Sequence, residues 1–265
     1  MRKYLVIGNP IDHSLSPKLH NHWFKVNKIE AIYDKCLLKE DGIKNIIQKI
    51  KEKEISGINV TVPFKKKIIP FIDKLTNEAL TSNSVNTVYL ENNKIIGHNT
   101  DIAGFELAIR YSKYNAKNKK VFILGAGGVV SSLIIALKNL EVSKIFISNR
   151  TIDRVQDLKK IYSDLQIVNW GETPNCDIII NATSIGLSKN DKIIHIDYNK
   201  IGSNKFFFDV IYNPKETNFL KKAKENGNII QNGKMMFIYQ AHQAFAIWHR
   251  ILPEIDEKTI NLIEE

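Results

Sequence analysis

Short apolar runs and helix-spaced apolar positions alternate along this chain almost from end to end. Runs at 4–8, 31–38 and 57–62 read as strands, and the stretches near 17–27 and 40–53 between them read as helices. The runs 88–90 and 94–97 flank Asn92-Asn93, a hairpin-like turn. A helix is expected from Asp101 to about residue 113. After the polar stretch 115–120 a second series opens, with strands at 121–124, 144–148, 166–168, 177–181, 206–210 and 228–231. Helices fill most of those gaps, and two more follow Gly233. Such alternation predicts an α/β fold with mainly parallel sheets covered by helices. The expected division is a domain over 1–100, a second over 101–235, and C-terminal helices over 236–265 that return to the first.

Composition narrows the classes. Apolar side chains make up 43% of the 265 residues, enough for sizeable cores and too many for wholesale disorder. A formal net charge of +10 invites a nucleic-acid partner. That reading weakens because only Arg2, Arg110, Arg150, Arg154 and Arg250 are arginines and the lysines scatter along the whole chain. No basic face interleaved with aromatics stands out, so the lysine excess reads as solvated surface. Cys36 and Cys176 are too few and too far apart for a disulfide framework or a zinc knuckle. The histidines lack ligand spacing of the H-x-x-x-H kind, and no metal is expected. The longest apolar runs are strand-length and the first residues do not resemble a signal peptide, so a soluble cytoplasmic protein without membrane partners is the expectation.

Residues 120–132 read KVFILGAGGVVSS: a buried strand, then Gly125-Ala126-Gly127-Gly128, then a helix. Such a turn lets a pyrophosphate approach the amides of a helix start. The third glycine of G-x-G-x-x-G is absent, with Val130 in its place. The next strand ends not in an acid but in Asn149-Arg150-Thr151, with Arg154 four residues after Arg150. An acid would bind ribose hydroxyls and repel a 2′-phosphate, whereas arginines hold one bidentately. NADP is therefore favoured over NAD. The bland alternative is that Thr151 caps a helix and both arginines are solvated.

The first half carries a polar constellation. In GNPIDHSLSPKLHN, Ser16 followed by Pro17 reads as an N-cap and first-turn pair, and Ser14 adds a second hydroxyl where a carboxylate could be received. In GINVTVPFKKKII, Asn59 and Thr61 share one face of a strand. Phe64, Ile68 and Phe71 then follow at the spacing of a buried helix face. Lys65 and Lys67 flank that face on opposite sides, about 100° and about 60° from Phe64, while Lys66 points away. Periodicity demotes Lys66 and leaves the other two tied. Asn86 lies in SVNT and Asp101 in HNTD; taken alone, Asp101 reads as a helix cap and Asn86 as a turn residue. Taken together, these side chains at strand-to-helix junctions suit a small polyhydroxylated ligand, and a Lys with an Asp could move a proton at a carbonyl or alcohol.

These motifs, in this order and over nearly the full length, closely resemble the shikimate dehydrogenase family. The resemblance implies an N-terminal substrate domain and a Rossmann-type NADP domain. It assigns Lys65 and Asp101 as catalytic, and Ser14, Ser16, Asn59, Thr61, Asn86, Tyr212 (in DVIYNPKET) and Gln240 (in YQAHQAF) as substrate-binding. GAGG (Gly125, Ala126, Gly127, Gly128) resembles the NADP turn, and Asn149, Arg150, Thr151 and Arg154 the 2′-phosphate clamp. Thr183, in NATSIG, falls in a segment lining the cofactor cleft, and Met235 near the nicotinamide. The chain departs from the family pattern at His98, Ile102, Val129 and Met235. The implied activity is NADPH-dependent reduction of 3-dehydroshikimate to shikimate in aromatic biosynthesis, by a monomer or homodimer. Two alternatives are an NAD-dependent quinate/shikimate dehydrogenase and a catalytically silent dinucleotide-binding regulator.

Overall fold

A computed structural model describes residues 1–188 and 193–263, so that Glu264 and Glu265, at the end of the expected C-terminal segment, lie outside the described residues. The chain divides into two compact units: Met1–Gly104 with Ile238–Glu265, and Phe105–Phe237.

The first unit is built on strands β1 (Arg2–Gly8), β2 (Ala31–Leu37), β3 (Gly57–Val60), β4 (Lys74–Leu75), β5 (Thr87–Glu91) and β6 (Lys94–His98). They form one sheet in the order β2-β1-β3-β5-β6-β4. β1 runs parallel to β2 and β3, whereas β5 is antiparallel to both β3 and β6. The β5–β6 hairpin turns at Asn92 and Asn93, with φ of 49° and 60°, the left-handed values that Asn tolerates. Helices α1 (Ser16–Val26), α2 (Ile43–Lys51), α3 (Phe64–Lys67), α4 (Asn77–Ser82) and α5 (Asp101–Tyr111) connect the strands, α5 continuing past the unit's border. Alternation along the strands sorts the two faces. Leu5, Ile7, Ile58, Val60 and Val88 join the isoleucines of α2 in one apolar core. Tyr4, Tyr33 and Gly57 face the other way, toward an aromatic layer containing Trp23, Phe24 and Trp248.

The second unit holds β7 (Lys120–Leu124), β8 (Lys144–Ser148), β9 (Gln166–Ile167), β10 (Ile178–Asn181), β11 (Phe206–Asp209) and β12 (Ile229–Gln231). All pair in parallel, in the order β12-β11-β10-β7-β8-β9. That is the doubly wound dinucleotide-binding arrangement, with its switch point between β7 and β10. Its helices are α6 (Val130–Asn139), α7 (Ile152–Ile161), α8 (Tyr198–Ile201) and α9 (Asn218–Glu225). The central strands are buried on both faces, which is why they read as unbroken apolar runs. Two closing helices, α10 (Lys234–His249) and α11 (Glu257–Asn261), complete the chain, and most of α10 belongs to the first unit.

Two local expectations fail. α1 starts at Ser16, so Leu15 is the N-cap residue and Ser16 is not; Leu15 makes no side-chain cap, and the first helical N–H, that of Ser16, donates to Ser14 Oγ instead. α3 is one turn long and gives way to a 3-10 turn over Ile69–Phe71, because Pro70 lacks the N–H that the next helical bond needs. Phe64 and Ile68 are buried, but Phe71 is 37% exposed and does not share their face.

Candidate active site

β3 ends at Val60, and the chain turns through Thr61-Val62-Pro63 into α3, where the Phe64 N–H donates to the Thr61 carbonyl at 2.9 Å. Phe64 and Ile68 anchor this turn in the core, which fixes where each lysine points. Lys66 is exposed, and Lys67 is exposed and paired with Glu40. Lys65 turns inward, and its Nζ donates to Asp101 Oδ2 at 2.6 Å, with the two side chains 12% and 7% exposed. Burial and partner thus separate the two lysines that helical spacing leaves equivalent.

Asp101 is the first residue of α5, but it does not cap that helix. Asn99 does: its Oδ1 accepts from the N–H groups of Asp101 at 3.0 Å and Ile102 at 3.3 Å. The Asn99 amide in turn donates to Ser82 Oγ and the Ser84 carbonyl, both at 3.0 Å. The Asp101 carboxylate is free to face Lys65 through Oδ2 and to accept from Asn86 Nδ2 at 2.9 Å through Oδ1. Hydrogen bonding of this second oxygen helps offset the cost of taking the ion pair out of water. Asn86 also donates to Thr100 Oγ1 at 2.9 Å and accepts from the Thr100 N–H at 2.8 Å. Its orientation is therefore fully specified.

Asn59 sits opposite Thr87 in the β3–β5 register. Both of its amide hydrogens are used within the protein, on the Asn86 carbonyl and Thr87 Oγ1 at 3.1 Å each. Its Oδ1 accepts from the Tyr33 hydroxyl at 2.7 Å. Burial pushes the Tyr33 phenol well above its ordinary range, which keeps it a donor, with Ser16 nearby opposing the shift. Ser16 is joined to Ser14 through Oγ–Oγ at 3.2 Å and through its N–H to Ser14 Oγ at 3.3 Å. A polar network thus runs from Tyr33 through Asn59 to Asn86, Asp101 and Lys65, with the serine pair near its Tyr33 end. Thr61 lies at its margin, half-buried, where its methyl closes against Gly8 so tightly that a Cβ on Gly8 would stand 2.6 Å away. Gln240 is half-buried on α10 of the same unit. Tyr33, Thr87 and Thr100 are members that the residue-by-residue sequence reading leaves out. The threonines stand in the quoted VNT and HNTD, and Tyr33 is the one buried position of β2.

In the second unit the turn after β7 carries Gly125 at φ +111°, where a Cβ would stand 2.7 Å from the Ala182 carbonyl oxygen. Both facts demand glycine. Gly127 and Gly128 meet no such obstacle, and Ala126 lies between. Val130 is fully buried at the start of α6, so this helix packs with a valine where the fingerprint has its third glycine. After β8, the Asn149 amide donates to the Thr151 carbonyl at 2.8 Å. Thr151 is the N-cap residue of α7 but makes no side-chain cap, and Arg150, Thr151 and Arg154 are all exposed at that helix start. Two guanidiniums and a helix N-terminus suit a phosphate. Thr183 turns its hydroxyl onto Asn181 Oδ1 at 2.7 Å. Tyr212 stacks on Phe237 with ring centroids 4.6 Å apart, and Met235 is buried. Among the described residues no cluster of metal-ligating side chains occurs, and no helix is long and apolar enough to cross a membrane.

Two family models match the chain: the shikimate dehydrogenase substrate binding domain over residues 6–88, and shikimate / quinate 5-dehydrogenase over 106–231. A curated shikimate dehydrogenase (NADP(+)) of Pelagibacter ubique (strain HTCC1062) is 59% identical over 263 residues, spanning 99% of each chain. Among solved structures, a shikimate dehydrogenase in complex with NADP+ superposes with a TM-score of 0.93 at 33% identity, covering 100% of this chain and 95% of its own. Shikimate dehydrogenase from Aquifex aeolicus gives 0.90 at 35% identity, covering 100% of this chain and 96% of its own.

Proposed function

The chain belongs to the shikimate dehydrogenase family, and from that premise we propose that it catalyses the reversible, NADPH-dependent reduction of 3-dehydroshikimate to shikimate in aromatic amino-acid biosynthesis. The observation that carries this reading is the Lys65–Asp101 pair, 2.6 Å apart and largely withdrawn from water. When bound, NADPH supplies a hydride to the C3 carbonyl carbon. Lys65 donates a proton to the C3 oxygen as charge builds there, and in the reverse direction takes it back. Asp101 holds the ammonium in place, and Asn86 fixes the carboxylate that does so.

Ser14 and Ser16 receive the substrate carboxylate, with Thr61, Asn86, Gln240 and Tyr212 meeting its remaining polar groups. Asn59 contributes by orienting its neighbours through its bonds to the Asn86 carbonyl and Thr87 Oγ1. In the second unit, residues 125–128 receive the pyrophosphate, while Asn149, Arg150, Thr151 and Arg154 hold the adenosine side and its 2′-phosphate. Thr183 and Met235 line the nicotinamide end. We place the enzyme in the cytoplasm, in keeping with its two unpaired cysteines, and as a monomer or homodimer that takes small molecules alone.

Steady-state rates with shikimate or quinate, each with NADP or NAD, test the proposal. Shikimate with NADP is the expected preferred pair. A preference for quinate with NAD would overturn it in favour of a quinate/shikimate dehydrogenase, and tight NADPH binding without turnover would favour a silent regulator.

A further inference from the structure

Asp209, the last residue of β11, is fully buried, and every group bonded to it is a donor. Its Oδ1 accepts from Asn181 Nδ2 and the Ile211 N–H, both at 3.0 Å, and its Oδ2 accepts from Thr217 Oγ1 at 2.6 Å. Only an ionised carboxylate satisfies three donors, because a neutral acid or an amide must aim a hydrogen at one of them. Burial pushes the group up to about 6, which still leaves it ionised at neutral pH. The titratable side chain beside it, Tyr198, is held neutral by the same burial and by the Asp209 charge.

The consequence travels along Asn181. With one amide hydrogen committed to Asp209, the other goes to the Ile185 carbonyl at 3.1 Å. Its oxygen then accepts from both the Thr183 N–H at 3.0 Å and the Thr183 hydroxyl at 2.7 Å. Thr183 Oγ1 itself accepts from the Ile185 N–H at 3.1 Å. The charge on Asp209 therefore decides which way the Asn181 amide points, and that amide folds residues 181–185. This loop backs onto the glycine turn, where the Ala182 carbonyl leaves no room for a Cβ on Gly125. On its other flank, Asp209 ties down Ile211, the residue before Tyr212, and Thr217, the N-cap of α9.

We propose that Asp209 is a positioning residue for the cofactor: one buried carboxylate sets the loop after β10 and the loop after β11 in the geometry that receives the nicotinamide half of NADPH. The proposal rests on the functional reading above, and its experiment separates the two. NADPH affinity by fluorescence titration, KM for NADPH and shikimate, kcat and Tm are measured on the full chain for wild type, Asp209→Asn, Thr217→Val and Thr217→Ser. Asp209→Asn weakens NADPH binding by about 10- to 100-fold, the loss expected when a charged acceptor of buried hydrogen bonds goes. Thr217→Val weakens it by about 10-fold, and Thr217→Ser, which keeps the donor, stays within about twofold of wild type. KM for shikimate rises less than NADPH affinity falls, because Tyr212 alone of these two loops meets the substrate, and kcat at saturation stays within about threefold in all of them. If Asp209→Asn does not fold, the Thr217 pair decides the matter. Variants that lower Tm while binding NADPH like wild type, or that raise the shikimate KM instead, overturn the positioning role and leave the functional reading intact. A folded wild type that binds no NADPH overturns both.

Discussion

At the scale of single residues, Lys65 owes its role to its neighbours more than to its own chemistry. Its side chain is identical to those of Lys66 and Lys67, yet only Lys65 meets a carboxylate in a water-poor setting. We expect Lys65→Ala to lose about 10²- to 10⁴-fold in kcat, the usual contribution of a positioned proton-transfer group, with NADPH affinity nearly unchanged. Lys66→Ala stays near wild type. Steady-state kinetics with a fluorescence titration checks both, and equal losses would remove the assignment. The ordered motifs make Lys65 legible in the sequence, since helical spacing alone leaves it level with Lys67. Tyr33 is not legible that way. Its function depends on Asn59, 26 residues on, and on a strand pairing that no local pattern specifies.

At the scale of elements, the central strands of the second unit are plain in the sequence because burial on both faces leaves continuous apolar runs bounded by turn residues. Helix ends are less legible, because several good capping residues often stand together. In His98-Asn99-Thr100-Asp101 both Asn and Asp are strong caps, and the choice falls to the longer-range partner. Lys65 and Asn86 claim the carboxylate, which leaves the cap to Asn99. Asn99→Ala removes that cap together with its bonds to Ser82 and Ser84, at a cost of about 1–3 kcal/mol. Calorimetry should show Tm falling by several degrees, with kcat reduced as well because α5 carries Asp101. A Tm within error of wild type would show that Asn99 does not hold the helix start.

At the scale of the whole molecule, the fold class is legible because strand–helix alternation leaves few topologies. The strand order is not, because it depends on pairings between distant segments: β5 enters the first sheet antiparallel beside β3, ahead of β4 in space though behind it in sequence. The two units also carry unlike ionisable interiors. In the first, burial lowers His20 to about 3 and His249 to about 4, and His98 and His242 are depressed too. His20 stacks flat on Tyr33 at 4.3 Å, with neither ring nitrogen hydrogen-bonded. Unfolded histidines bind protons below about 6.5 and these do not, so this unit loses stability as pH falls from there toward about 4. Denaturant titrations at about pH 7 and pH 4.5 should show that loss, and His20→Phe should shrink it. An undiminished loss would clear His20. Asp209 has the opposite sign, because its folded value lies above the ordinary carboxylate range. Between about 6 and 4 native Asp209 takes up a proton that the unfolded chain does not, a contribution that favours the folded second unit as pH falls, while the lowered carboxyls of Asp164 and Asp177 act the other way toward lower pH. Through these buried groups mild acid bears on the two units with opposite sign, and calorimetry at about pH 7 and pH 5 is expected to show the first unit losing more of its thermal stability than the second.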